Sequence, residues 1–188
     1  MYHVVCIVGV TTGLFWARPE DAHHLIGPWT QCYTLANFWG RTWHQNFRRA
    51  LQVPSRAIAR DVAGAPQGST LSRRIQWYVA FTISGLYHYA AAKTTLPSQS
   101  FAKTLTFFAL MPNLLVIEDY AKSFAQRRFG CSGRHWRLFG FIWTFATLTI
   151  AGAGFVDDLV THGLVTARPI LPFSLTTIVL NLAFGRIV

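Results

Sequence analysis

Four runs of apolar residues, 75–94, 101–120, 138–156 and 169–187, restrict this chain more than any other feature of its sequence. Each is about as long as the roughly 20 helical residues that cross a hydrocarbon core some 30 Å thick. Inside lipid a chain must satisfy its backbone N–H and C=O groups within the segment itself, so such runs are helices. The expected fold is therefore all-α, a multi-span transmembrane helical bundle. Charge is as sparse as this requires: only 13% of residues are Asp, Glu, Lys or Arg, against about 25% in an ordinary soluble domain. A fifth run, residues 2–16, is short for a span. No basic stretch precedes it and no A-x-A-like site follows it, so it reads as the tail end of a span and not as a signal peptide.

The net charge of +10 by itself suggests nucleic acid. The arginines, however, fall into two blocks between the apolar runs, with no nucleic-acid motif beside them. Arg41, Arg48, Arg49, Arg56, Arg60, Arg73 and Arg74 lie in 41–74 against a lone Asp61; Lys122, Arg127, Arg128, Arg134 and Arg137 lie in 121–137 with no acid. Two spans separate the blocks, which places both on one face, and an excess of arginine marks that face as cytoplasmic. Asp157 and Asp158 follow the third run, as expected of the opposite face, where Lys93 and Lys103 are mild exceptions. Pro54, Gly64, Pro66, Gly68 and Ser69 mark 53–70 as a loop. Cys6, Cys32 and Cys131 form no CxxC pair or metal-ligand spacing and read as packing residues, so no metal site is expected.

The stretch ANFWGRTWHQNFRR, residues 36–49, is denser in aromatics and arginines than its surroundings. On a continuous helix Trp39, Trp43, Phe47 and Leu51 form an apolar stripe, with Arg41, Gln45, Arg48 and Gln52 opposite and His44 at the border. That pattern predicts an amphipathic helix lying in the membrane interface, its aromatics toward lipid and its arginines toward cytosolic anions. The expected organisation is a partial span at 1–16, a cytosolic or interfacial region at 17–74, and a four-span core at 75–188.

Candidates for chemistry are few. His88 sits inside an apolar run, where an ionisable group is costly and marks a functional site unless a backbone carbonyl simply satisfies it. Ser84 and Gly85, one turn earlier, are small enough to admit another helix or a substrate. His44, beside arginines, is either functional or an ordinary solvated side chain. Glu118 and Asp119 either pair with basic residues of the following loop or help position a substrate. His23 and His24 adjoin Glu20 and Asp21 without further ligands for a metal, and Asp157, Asp158 and His162 read as a polar turn. No Walker loop, GxSxG elbow, HExxH or Rossmann glycine pattern is present.

YTLANFWGRTWHQNFRR, then SGLYHY, IEDY, FGCSGRHWRLFGFIWTFAT and FVDDLVTHGL, in this order, resemble the wax synthase branch of the membrane-bound O-acyltransferases. The likeness is nearest to fungal members that acetylate terpenoids and related secondary metabolites, and it runs from about residue 16 almost to the C-terminus. The resemblance implies a multi-pass enzyme of the endoplasmic reticulum that moves an acyl group from acyl-CoA, a co-substrate and not a bound cofactor, to a small-molecule alcohol. It matches the family's intramembrane histidine to His88 and its FWxRxWHQ box to Phe38, Trp39, Arg41, Trp43, His44 and Gln45. Complete members carry further N-terminal spans, so this chain is expected to correspond to their C-terminal half; their WDP-like triplet is here replaced by Phe155, Val156, Asp157 and Asp158.

Acyl transfer needs a base, oxyanion stabilisation and an electropositive seat for the CoA phosphates. The expected assignment is His88 as base with His44 as its catalytic companion, Gln45 or Asn46 orienting the thioester or donating to the oxyanion, and Arg41, Arg48 and Arg49 on the phosphates. Competing readings are a long-chain wax ester synthase and a non-catalytic membrane fragment or pseudoenzyme. A transporter ranks below them, because the apolar runs offer almost no polar path.

Overall fold

A computed structural model describes residues 26–95, 100–130 and 133–161. The runs at 2–16 and 169–187, Cys6, Cys131, the pair His23 and His24, and His162 lie outside the described residues. What is described is helical, with no strand among the described residues. Four helices dominate: α1, Arg48–Ala57; α2, Thr70–Thr95; α3, Ala102–Phe129; and α4, Arg134–Thr161. Helices α2, α3 and α4 contain the three described apolar runs but extend past them into the charged flanks. Of the described helices, α4 alone is both long and apolar enough to cross a membrane, by length and composition. Its Leu138, Phe139, Ile142 and Ile150 are exposed, as a lipid-facing surface would be.

Helices α2 and α3 pack against each other, and α3 packs on α4. Leu35, Phe81, Phe107, Phe108, Met111 and Leu115 form the core, with Trp39, Leu148 and Phe155 packed on it. The approach of α2 to α3 depends on Gly85, as its small size predicts: a Cβ there would stand 2.8 Å from the Cβ of Phe108.

Two adjacent-acid pairs tie the helices together. Buried Asp158 accepts from the backbone N–H of Thr104 (2.8 Å) and from its hydroxyl (3.1 Å), capping the first turn of α3, while Asp157 pairs with Lys103. These acids lie within α4 and not in a polar turn, because the cap they provide sits level with the last turns of that helix. At the other end Asp119 pairs with Arg73 (3.0 Å) and Arg74 (3.4 Å), which precede it in the chain, instead of a basic residue of the following loop. Antiparallel α2 and α3 bring those ends together, so the two arginine-rich blocks meet at one end of the hairpin.

Residues 53–70 are not all loop. Pro54 lies inside α1, which continues through a π-turn, Ile58–Val62, before the chain turns at 63–69. An interior proline opposes helix, but α1 and the π-turn pack against α2, burying Ser55 and Ala59, and that packing prevails. Cys32 is fully buried, with its thiol 3.3 Å from the Thr42 hydroxyl, the packing role expected of it.

Candidate active site

The segment before α1 departs most from the expectation. Instead of one amphipathic helix, Leu35–Asn37 makes a single helical turn, Phe38–Thr42 a π-turn closed by Trp43 N–H donating to Phe38 O (2.8 Å), and Gln45–Phe47 a 3₁₀ turn. Between the last two, Trp43 is extended and His44 is left-handed, with φ 40° and ψ 58°. A side chain in that region is strained, and among the described residues His44 is the one non-glycine residue with positive φ. The break ends the i+4 stripe. Trp39 turns into the core, edge-on to Phe81 at 5.3 Å and tilted against Phe107 at 6.2 Å, while Trp43 stacks on Phe38 at 5.6 Å.

Distant groups hold this segment. Glu118 is buried on α3 and accepts from Leu35 N–H (2.7 Å), Ala36 N–H (3.5 Å) and the Trp143 indole N–H (3.2 Å). With Thr34 Oγ1 accepting from Asn37 N–H (3.0 Å), the first three amides of the turn are satisfied. Gly140 on α4 lets the chain lie close, since a Cβ there would stand 2.2 Å from the Tyr33 carbonyl oxygen. Among the described residues Glu118 joins no ion pair, and it faces backbone and indole donors instead of open space; it is an anchor. An acid near the end of an apolar run was the available signal, but its backbone partners lie more than 80 residues away, its indole partner is 25 away, and no local pattern names them.

From this anchor the segment carries His44 toward α2. His44 stacks flat on Trp43 (4.6 Å, 9°) and tilts against Phe47 (5.9 Å), which meets Tyr87 (6.2 Å), the neighbour of His88. Partial burial against these rings holds the His44 pKa below the ordinary histidine value, and repulsion from a charge on His88 lowers it further.

His88 is half-buried and walled by aromatics: Phe108 at 4.7 Å, and Phe155 of α4 edge-on at 6.0 Å. Its Nδ1 lies 2.8 Å from the backbone carbonyl of Ser84. A carbonyl only accepts, so Nδ1 is the protonated nitrogen and the neutral ring keeps its lone pair on Nε2. This is the bond a purely packed histidine would make, and it is also the bond that fixes a base in one tautomer.

The remaining expected residues are dispersed. The Gln45 amide donates to Trp43 O (3.0 Å), so one of its donors is engaged locally. Arg41 and Arg48 are exposed and, among the described residues, make long side-chain contacts, 3.5 Å to Gln31 and to Gln45 respectively; Arg49 is exposed at the start of α1. Nothing is described of the Asn46 side chain.

The model of the membrane bound O-acyl transferase family matches residues 22–110, which includes both histidines. Over that region the chain is similar to membrane-bound O-acyltransferases, and proteins named as fungal acetyltransferases are among its relatives. It is 32% identical to acetyltransferase ple2 of Rhodocybe pseudopiperita over 70% of this chain and 35% of that protein. It is 34% identical to acetyltransferase sirH of Emericella nidulans over 78% of this chain and 35% of that protein, and 31% identical to acetyltransferase ataH of Aspergillus terreus over 79% and 49%. The chain thus spans between a third and a half of the length of these relatives. No solved structure matches it.

Proposed function

We propose that this chain carries the catalytic histidine region of a multi-pass, endoplasmic-reticulum O-acetyltransferase that moves an acetyl group from acetyl-CoA to a hydroxyl of a terpenoid or similar secondary metabolite. The observation that carries this reading is His88 itself, half-buried between Phe108 and Phe155 with its Nδ1 engaged by the Ser84 carbonyl so that Nε2 is the available base; ring contacts through Phe47 and Tyr87 link the strained His44 to it. The match to the family model and the names of the relatives support the reaction class. Water exclusion by Phe108 and Phe155 would favour transfer to an alcohol over hydrolysis of the thioester.

In this mechanism His88 Nε2 accepts the alcohol proton as the oxygen attacks the thioester carbonyl. The C–O bond forms, the oxyanion collapses with cleavage of the C–S bond, and the imidazolium returns its proton to the departing CoA thiolate. His44, kept neutral by its surroundings at pH 7, orients the thioester or donates to the oxyanion, with Gln45 and Asn46 beside it. Arg41, Arg48 and Arg49, all exposed, hold the CoA phosphates through charge-assisted contacts.

The test is acetyl transfer by microsomes expressing the chain, with labelled acetyl-CoA and a panel of hydroxylated terpenoids and fatty alcohols. Loss of the base in His88→Ala should lower turnover by roughly 10²- to 10⁴-fold. Wild-type turnover in a purified His88→Ala variant refutes the assignment, and preference for long-chain acyl donors would replace acetyl transfer by wax ester synthesis.

A further inference from the structure

The arginine end of the α2–α3 hairpin contains a cavity of about 340 Å³ that plays no part in the site above. Three arginines line it, Arg73 and Arg74 from the first turn of α2 and Arg127 from the last turns of α3, against a single carboxylate, Asp119. Asp119 is already committed to Arg73 and Arg74. The Arg74 guanidinium is held rigidly: it lies over the Tyr120 ring at 4.2 Å, donates to the Tyr120 hydroxyl at 2.8 Å, and its buried Nε–H has no acceptor among the described residues. Thr70 and the N-terminal end of α2, with its positive dipole, complete the wall.

Three guanidiniums beside one carboxylate leave an excess of positive charge and a surplus of N–H donors that match a tetrahedral oxyanion. The lining also has an apolar side: Phe124 is more than half exposed there. Arg74 and His88 share α2 but stand about 21 Å apart along its axis at the usual rise per residue. We propose that this cavity is a phosphate-binding site. The phosphate belongs either to an anionic phospholipid headgroup, whose hydrocarbon would lie against the exposed Phe124, or to a soluble phosphate ester such as CoA. The site does not depend on the acyltransfer reading, since its residues do not touch either histidine.

The experiment uses the full chain purified in a neutral detergent, with native mass spectrometry to measure retention of phosphatidic acid, phosphatidylcholine, CoA and dephospho-CoA. Arg127→Glu reverses one of the three charges at an exposed position, Arg127→Gln removes it, and Lys93→Ala, at the other end of α2, serves as control. Preferential retention of phosphatidic acid, weakened about tenfold or more in both Arg127 variants but not in Lys93→Ala, supports the site with a lipid source. The same loss confined to CoA, and smaller for dephospho-CoA, supports it with a soluble source. Equal retention of all anions by wild type and by variants with unchanged melting temperatures overturns it.

Discussion

The two adjacent-acid pairs repeat one device at opposite ends of the bundle, and the difference lies in what they hold. In each, one carboxylate is buried and caps backbone amides while its neighbour takes a basic side chain at the surface: Asp158 with Asp157, and Glu118 with Asp119. Asp158 caps a helix of 28 residues that packs well on its own account. Glu118 caps a three-residue turn that leads into a π-turn and a left-handed histidine, a path with little intrinsic preference for its conformation. The same chemistry thus reinforces a scaffold at one end and imposes a shape at the other.

The sharpest way to break this comparison is Glu118→Ala. It leaves two backbone amides and an indole N–H without their acceptor, and should cost about 3 kcal/mol. It should also lower turnover per folded molecule by roughly 10²-fold, because the segment bearing His44 loses its seat. Melting in detergent, set beside acetyl transfer normalised to folded protein, separates the two effects; turnover that falls only with the folded fraction would make Glu118 an ordinary structural acid. Asp158→Ala should cost about 1–2 kcal/mol as a lost helix cap and leave turnover per folded molecule unchanged.

The smallest effect is a titration. In the wild type His44 should protonate below the ordinary value of about 6.5, since burial and the His88 charge both oppose the proton. In Glu118→Ala or His88→Ala its pKa should rise toward that value, and in Asp158→Ala it should stay. Chemical modification of His44 as a function of pH reads this directly. The sign for stability follows: with the folded pKa lowered, the unfolded chain binds its proton first, so this contribution to stability is complete above about pH 6.5 and is lost as pH falls toward the folded pKa.

Much of the helical framework was legible because an apolar run announces itself without knowledge of its partners. The runs 75–94 and 138–156 lie near the centres of α2 and α4, and 101–120 forms the N-terminal two thirds of α3. Their ends were not legible: arginine and lysine are good helix formers, so helices run on past the point where hydropathy fades. His88 stood out because an ionisable group in an apolar run is rare, and Gly85 because a small residue one turn away permits close packing. The path of 36–47 was illegible for a different reason. Its local pattern favours a continuous amphipathic helix, and the contacts that overrule it come from Glu118 and Gly140, far along the chain.

The bond from His88 to the Ser84 carbonyl has one more consequence. Where a carboxylate side chain orients a catalytic imidazole, a single substitution removes the orienter. Here the acceptor is main chain, one turn back on the same helix, and every residue type at 84 except one that breaks the helix presents the same oxygen. The tautomer of His88 is therefore buffered against mutation at position 84. The wall of its pocket, built from the side chains of Phe108 and Phe155, is free to vary without disturbing which nitrogen carries the proton.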